Sequence, residues 1–381
     1  MRIVFFCGSL EPGRDGVGDY TRRLAGWLSS AGHSVAILAL NDKYILSTTS
    51  AVQQQGTDQI EVLRIPAALA WKETRGLSEQ FLKEFKPDWI SLQYVSYAYH
   101  IKGIPYKMLQ AFLEVFNAYK LQVMFHELWL GEKKTDPLTY KIYGLLQKRA
   151  ILYLINKANP LVLQTSIPLY QRILQNNQIK ADLLPVFSNI PDLNLEFDAY
   201  ADEIPDWLRL HRNDYIIGCN FGSFYESSWD LSSLLGPFVA ECKKLGKQPL
   251  LFSIGKISAG EKEWANLAES HPDIQFLTLG MASSGLISYC LTHFADFGIL
   301  TTPAFMAGKS GSFMAFKAHG LRSFCKENDL SYSFDLQFIG YDSSLIPLRS
   351  AADFYIPKRE MAANQLGETA SLFINALNLS N

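Results

Sequence analysis

The chain of 381 residues is 48% hydrophobic, 13% aromatic and 19% charged, with a formal net charge of -2. That composition supplies apolar material for two packed cores and excludes a disordered chain. The near balance of charge excludes an overall basic field, so no nucleic-acid partner is expected.

Residues 3–7 form an apolar run suited to a buried parallel strand. Gly13, Gly16 and Gly18 follow in a loop, after which Tyr20, Leu24, Trp27 and Leu28 recur at helical spacing until Gly32. Residues 34–40 resume as a strand, completing a β-loop-α-β unit that opens a doubly wound sheet. Strands at 60–65, 88–92, 121–125 and 160–164 alternate with helices at 77–85, 106–119, 137–157 and 168–175, and 183–186 closes the half. Helix 106–119 places Met108, Phe112, Val115 and Phe116 on one face, expected to pack on the sheet. Peripheral membrane contact is the lesser alternative for that face. The stretch 189–214 carries Pro191, Pro205 and an acid-rich run without an apolar period, which predicts a linker or irregular connector. Alternation then restarts, with strands at 215–221, 249–254, 274–277, 297–300 and 322–325. Helices at 231–245, 261–269, 286–292 and 312–319 separate them, and 361–377 makes a final helix.

This pattern predicts an α/β protein of two Rossmann-like α/β/α domains, 1–190 completed by the C-terminal helix 361–381, and 191–360. The loops leaving the strand C-termini are expected to line a cleft between them. Cys7, Cys219, Cys242, Cys290 and Cys325 are scattered through apolar or helical contexts without metal-ligand spacing, so a reduced cytoplasm and no metal site are expected. The first residues are interrupted too soon for a signal peptide, and apolar runs elsewhere are too short to cross a bilayer, so a soluble protein is expected.

Three loops carry candidate chemistry. The loop 8–20 joins a buried strand to a helix, and its glycines, Gly16 among them, would let backbone amides approach a ligand near a helix N-terminus. Its spacing is not the G-x-G-x-x-G dinucleotide fingerprint. His126 and Glu127 follow the strand 121–125 at its C-terminal end, where His126 would donate a hydrogen bond to a sugar hydroxyl or a developing oxyanion. Gly308, Lys309, Ser310, Gly311 and Ser312 join the strand 297–300 to a helix. Backbone amides, the helix dipole and an ammonium there would converge on one phosphate. The string is not a Walker A loop, because Pro303 stands where its first glycine belongs. Ser223 and Tyr225 follow the first strand of the second half, Lys256 follows the second as a further diphosphate cation, and Met281 ends the third, where backbone groups would meet a nucleobase.

Taken in order, these residues resemble the retaining glycosyltransferases of the GT-B fold, in particular glycosyltransferase family 4 and its bacterial polysaccharide enzymes. The resemblance rests on Gly16-Val17-Gly18-Asp19-Tyr20, on His126 after a strand, on Leu184-Pro185-Val186-Phe187-Ser188-Asn189 at the bridge, and on 308–312 followed by Ala318-His319-Gly320. It implies a metal-independent hexosyltransferase without a cofactor, using a UDP-sugar, with UDP-glucose as first choice. The second domain would hold the nucleotide sugar. The first would hold a saccharide or lipid-linked acceptor near Asp19, Tyr20 and Glu127, and the last helix would cross back onto it. His126 and Lys309 would be the catalytic pair. The family's two glutamates fall at Ala307 and Ala315, and its Arg/Lys pair is absent from 223–229. The missing carboxylates keep open a catalytically weak nucleotide-sugar-binding protein as an alternative, and a nucleotide-sugar epimerase of the same fold is a third reading.

Overall fold

The computed structural model describes residues 1–55, 58–224, 231–257, 260–327, 332, 340–348, 350–362 and 364–380. The chain divides into two compact units. The first takes in Met1–Val186 and the C-terminal Leu366–Asn381, and the second Phe187–Asp329 and Ile339–Gln365.

Unit 1 is built on an eight-stranded sheet comprising β1 (Arg2–Cys7), β2 (Ser34–Asp42), β3 (Thr49–Gln55), β4 (Asp58–Pro66), β5 (Trp89–Tyr94), β6 (Lys120–Phe125), β7 (Val162–Thr165) and β8 (Asp182–Leu183). Their spatial order is β3-β4-β2-β1-β5-β6-β7-β8. All neighbours are parallel except β3, which runs antiparallel to β4 at the edge. The polar string of β3 carries no strand signal of its own, and the sequence reading passed over it.

The helices of unit 1 are α1 (Gly16–Ser30), α2 (Trp71–Phe85), α3 (Ser96–Tyr99), α4 (Tyr106–Ala118), α5 (Leu138–Ala158) and α6 (Pro168–Asn176). The apolar face of α4 is fully spent on the core: Met108, Phe112, Val115 and Phe116 are all buried, and both Phe rings lie against Phe6 of β1. That burial leaves this face no membrane role.

Unit 2 carries six parallel strands, β9 (Tyr215–Phe221), β10 (Gln248–Ile254), β11 (Gln275–Gly280), β12 (Phe297–Leu300), β13 (Ser323–Lys326) and β14 (Leu345–Leu348). Their order is β11-β10-β9-β12-β13-β14. The helices are α7 (Asp206–Leu210), α8 (Ser232–Lys244), α9 (Glu261–Ser270), α10 (Ser284–His293), α11 (Ala304–Ala307) and α12 (Gly311–Ala318).

The expected linker at 189–214 is more structured than its composition suggested. It holds α7 and two 3-10 turns, Ala201–Glu203 and Arg212–Asp214. Ile204 and Leu208, four residues apart, are buried, and Phe197 stacks on Phe294 at 5.9 Å. A few well-placed apolar side chains anchor the segment to unit 2 without any sustained periodicity. The last helix, α13 (Gln365–Leu379), buries Ala370, Phe373 and Leu377, and Phe373 stacks on Phe5 of β1 at 5.6 Å. Thr369 Oγ1 also donates to the Pro185 carbonyl at 2.9 Å, so the C-terminal helix completes unit 1. Among the described residues, no helix is long and apolar enough to cross a membrane.

Candidate functional site

Strand order reverses between β1 and β5 in unit 1 and between β9 and β12 in unit 2. In open parallel sheets, ligands bind at such switch points, outside the strand C-termini.

In unit 2 the switch point gathers the phosphate-loop candidates. The chain leaves β12 at Leu300, makes the short α11, and turns through Gly308 and Lys309 into α12. Ser310 caps that helix, its Oγ accepting from Phe313 N at 3.4 Å. The first-turn amides of a helix have no intrahelical acceptor, so those of Gly311 and Ser312 lie outside the helix's own ladder. The side chain of Ser312 is spent within the chain, donating to the Phe221 carbonyl at 2.6 Å. That bond ties the start of α12 to the end of β9. A second tie is Thr301 Oγ1, which donates to the Ser223 carbonyl at 3.4 Å. Between Phe221 and Ser223 the chain turns at Gly222 with φ +80, a conformation that an L side chain rarely adopts. Buried Asn220 donates through Nδ2 to the Gly222 carbonyl at 3.2 Å and braces the turn.

Ser223, Gly308, Lys309, Ser310, Gly311 and Ser312 thus belong to one cluster at the ends of β9 and β12, with Lys309 partly exposed. Lys256 and Met281 end β10 and β11 on the same edge, one and two strands further out, and both side chains are exposed. Tyr225 lies outside the described residues. Ala307 and Ala315, where the resemblance expects carboxylates, are wholly buried methyl groups. The sequence reading did not single out Asn220 or Thr301. The available signals were a polar residue just before the end of an apolar strand for Asn220, and a hydroxyl directly after one for Thr301.

In unit 1 the loop after β1 is held from below. Asp42, fully buried at the end of β2, accepts from Ser9 Oγ, Leu10 N and Tyr44 N, each at 3.1 Å, and from Arg64 Nε at 2.7 Å. Burial alone would raise its carboxyl pKa, but the Arg64 guanidinium and the amides outweigh it and hold the group below the usual carboxylate range. Gly18 is required by packing, since a Cβ there would lie 2.3 Å from the Ser9 carbonyl oxygen.

Gly16 begins α1 and is exposed. The next two amides of that helix, Val17 N and Gly18 N, donate to the Asp15 carboxylate at 3.0 and 2.9 Å. The negative charge favoured at this helix start is therefore supplied from within the chain. Asp19 accepts from Gly13 N at 3.0 Å and pairs with Arg22 at 2.7 Å. Tyr20 is buried and meets His126 edge-on, with ring centroids 5.0 Å apart. Glu127, the next residue, is partly exposed.

His126 is 7% exposed, its amide donates to the Tyr94 carbonyl at 3.1 Å, and its Nε2 lies 2.8 Å from Gln93 Oε1. Burial without a compensating charge pushes its pKa down to about 3, so the imidazole is neutral at physiological pH. Among the described residues, no group of three or more His, Cys, Asp or Glu side chains gathers to hold a metal ion.

No protein-family model and no curated protein matches this chain. Solved structures do. WaaG, a glycosyltransferase involved in lipopolysaccharide biosynthesis, aligns at TM-score 0.51 and 12% identity over 99% of this chain and 90% of its own. An α,α-trehalose-phosphate synthase (UDP-forming) from Burkholderia xenovorans aligns at TM-score 0.55 and 10% identity, covering 100% and 97%. Anabaena Alr3699/HepE, in complex with UDP, aligns at TM-score 0.51 and 13% identity, covering 100% and 94%. The fold is GT-B. At these identities the likeness defines the architecture, two Rossmann-like parallel-sheet domains, and leaves the chemistry to be argued from the chain's own residues.

Proposed function

We propose that this protein is a metal-independent glycosyltransferase that moves a hexose from a UDP-sugar, UDP-glucose first among them, to a saccharide or lipid-linked acceptor. We place it in envelope or exopolysaccharide synthesis, working in the cytoplasm, at most resting on the membrane's inner face, with retention at the anomeric carbon. Unit 2 takes the nucleotide sugar and unit 1 the acceptor.

The observation that carries this reading is the start of α12 at the unit 2 switch point. The Gly311 and Ser312 amides and the Lys309 ammonium are joined there on one loop beside the β9 turn. These are donors that suit a diphosphate, and a leaving diphosphate needs positive charge as the sugar–phosphate bond breaks. Each well-placed donor is worth roughly 3 kcal/mol of barrier in such sites. In the transfer, the acceptor oxygen forms the new glycosidic bond and its proton passes to the departing diphosphate. The resemblance to GT-B enzymes, one of them solved with UDP, supports the choice of base.

A second reading, a nucleotide-sugar-binding protein of little activity, is favoured by one observation, the buried Ala307 and Ala315 in place of carboxylates. A thermal-shift panel of nucleoside diphosphates and nucleotide sugars, followed by product analysis, separates the readings. Stabilisation by UDP and one UDP-sugar, with transfer to an added acceptor, is the expected result. Stabilisation without turnover favours the second reading, and donor isomerisation without UDP release favours an epimerase. No response to any nucleotide would sink all three.

A further inference from the structure

A chain of buried polar side chains runs across β5, β6 and β7 of the unit 1 sheet. His126 Nε2 faces Gln93 Oε1 at 2.8 Å, and Gln93 Nε2 donates to Ser91 Oγ at 2.7 Å. Ser91 Oγ donates to Gln122 Oε1 at 2.6 Å, and Gln122 Nε2 donates to Gln164 Oε1 at 3.0 Å. All five residues are buried, at 7% exposure or less. Ser91 and Gln122 are register partners on β5 and β6, and Gln164 follows on β7. Five buried polar side chains in line have a cost unless every link is made, and here all four links are.

We propose that Gln93 is a positioning residue that fixes His126 as the Nε2–H tautomer, leaving Nδ1 as a lone-pair acceptor for a hydroxyl of the bound ligand. The direction of the chain carries the assignment. Gln93 turns its carbonyl to the imidazole because its amide nitrogen is committed to Ser91, whose own proton is committed to Gln122. For His126 to present Nδ1–H instead, three glutamine amides and the serine hydroxyl would have to reverse together. Among the described residues, no group bonds Nδ1.

Neutral and edge-on to Tyr20, His126 then orients a sugar hydroxyl by accepting its hydrogen bond. It does not donate one, and it does not exchange protons at neutral pH, since its pKa near 3 is far from the operating range. The identity of that ligand as a sugar rests on the glycosyltransferase reading; the tautomer does not.

The test is long-range proton–nitrogen NMR on the full-length protein labelled with 15N-histidine, the His126 signal being assigned by its loss in His126→Gln. The expected spectrum shows a protonated Nε2 and a bare Nδ1 in the wild type. Gln93→Glu keeps an acceptor oxygen and is expected to preserve that tautomer while raising the imidazole pKa. Gln93→Leu is expected to mix the tautomers and lower turnover about tenfold or more, as loss of an orienting partner does, with little change in UDP affinity. A wild-type signal from the Nδ1–H tautomer overturns the proposal, even if Gln93→Leu fails to fold. An unchanged tautomer in folded Gln93→Leu overturns it too. Absence of transferase activity alongside the Nε2–H spectrum would count against the function and not against the tautomer.

Discussion

The buried neutral state of His126 has a measurable consequence for stability in acid. In the unfolded chain its imidazole titrates near the ordinary value of 6.5, whereas in the fold burial holds it near 3. The unfolded state therefore takes up a proton that the native state refuses, and stability falls as pH drops below the ordinary value. Between about pH 7 and about pH 5.5 this single group removes about 1 kcal/mol, rising to about 4 kcal/mol once pH reaches the folded pKa. The side chain is 7% exposed, so solvent screening does not erase the effect. His126→Gln removes the titration while its amide nitrogen can still reach Gln93. Urea unfolding of wild type and variant at the two pH values reads the difference. The variant is expected to lose about 1 kcal/mol less than wild type over that interval. Equal losses would mean that His126 is charged or solvated in the native protein, and the account of its environment would be wrong.

Three other perturbations test the scaffold and the site. Asp42→Asn removes the charge that Arg64, Ser9 and two amides converge on, and is expected to cost about 3 kcal/mol at neutral pH. Because the folded pKa of Asp42 is depressed, the wild-type advantage is present above the ordinary carboxylate value and shrinks as pH falls through the lowered one, which urea titrations across that window would show. Gly18→Ala drives a methyl against the Ser9 carbonyl and is expected to cost about 2 kcal/mol by thermal unfolding; a neutral result would mean that the loop after β1 yields freely. Lys309→Ala is expected to weaken UDP binding about ten- to hundredfold by calorimetry, with the circular dichroism spectrum unchanged. Unaltered affinity would remove Lys309 from the phosphate site.

The alternation of apolar runs and amphipathic stretches made the parallel sheets legible, because buried parallel strands and the helices covering them differ so clearly in period. Edge elements were harder to see. Strand β3 pairs with β4 and leaves residues 49–52 exposed, so no buried face writes a pattern there, while α7 buries Leu208, with Ile204 buried just before it. In the candidate sites, the sequence singled out residues that follow strands: His126, and the run from Gly308 to Ser312. It did not single out the residues that brace them. Gln93, Ser91, Gln122 and Gln164 read as polar interruptions of apolar strands, and only the lateral register of β5, β6 and β7 turns them into one chain. Asp15 was likewise read as part of a ligand loop, whereas its carboxylate occupies the start of α1.

A crystal structure of the protein soaked with UDP tests the central claim most directly. The diphosphate is expected within hydrogen-bonding distance of the Gly311 and Ser312 amides, with the Lys309 ammonium turned toward it. Well-ordered UDP bound anywhere else, with the start of α12 free of it, would contradict the account.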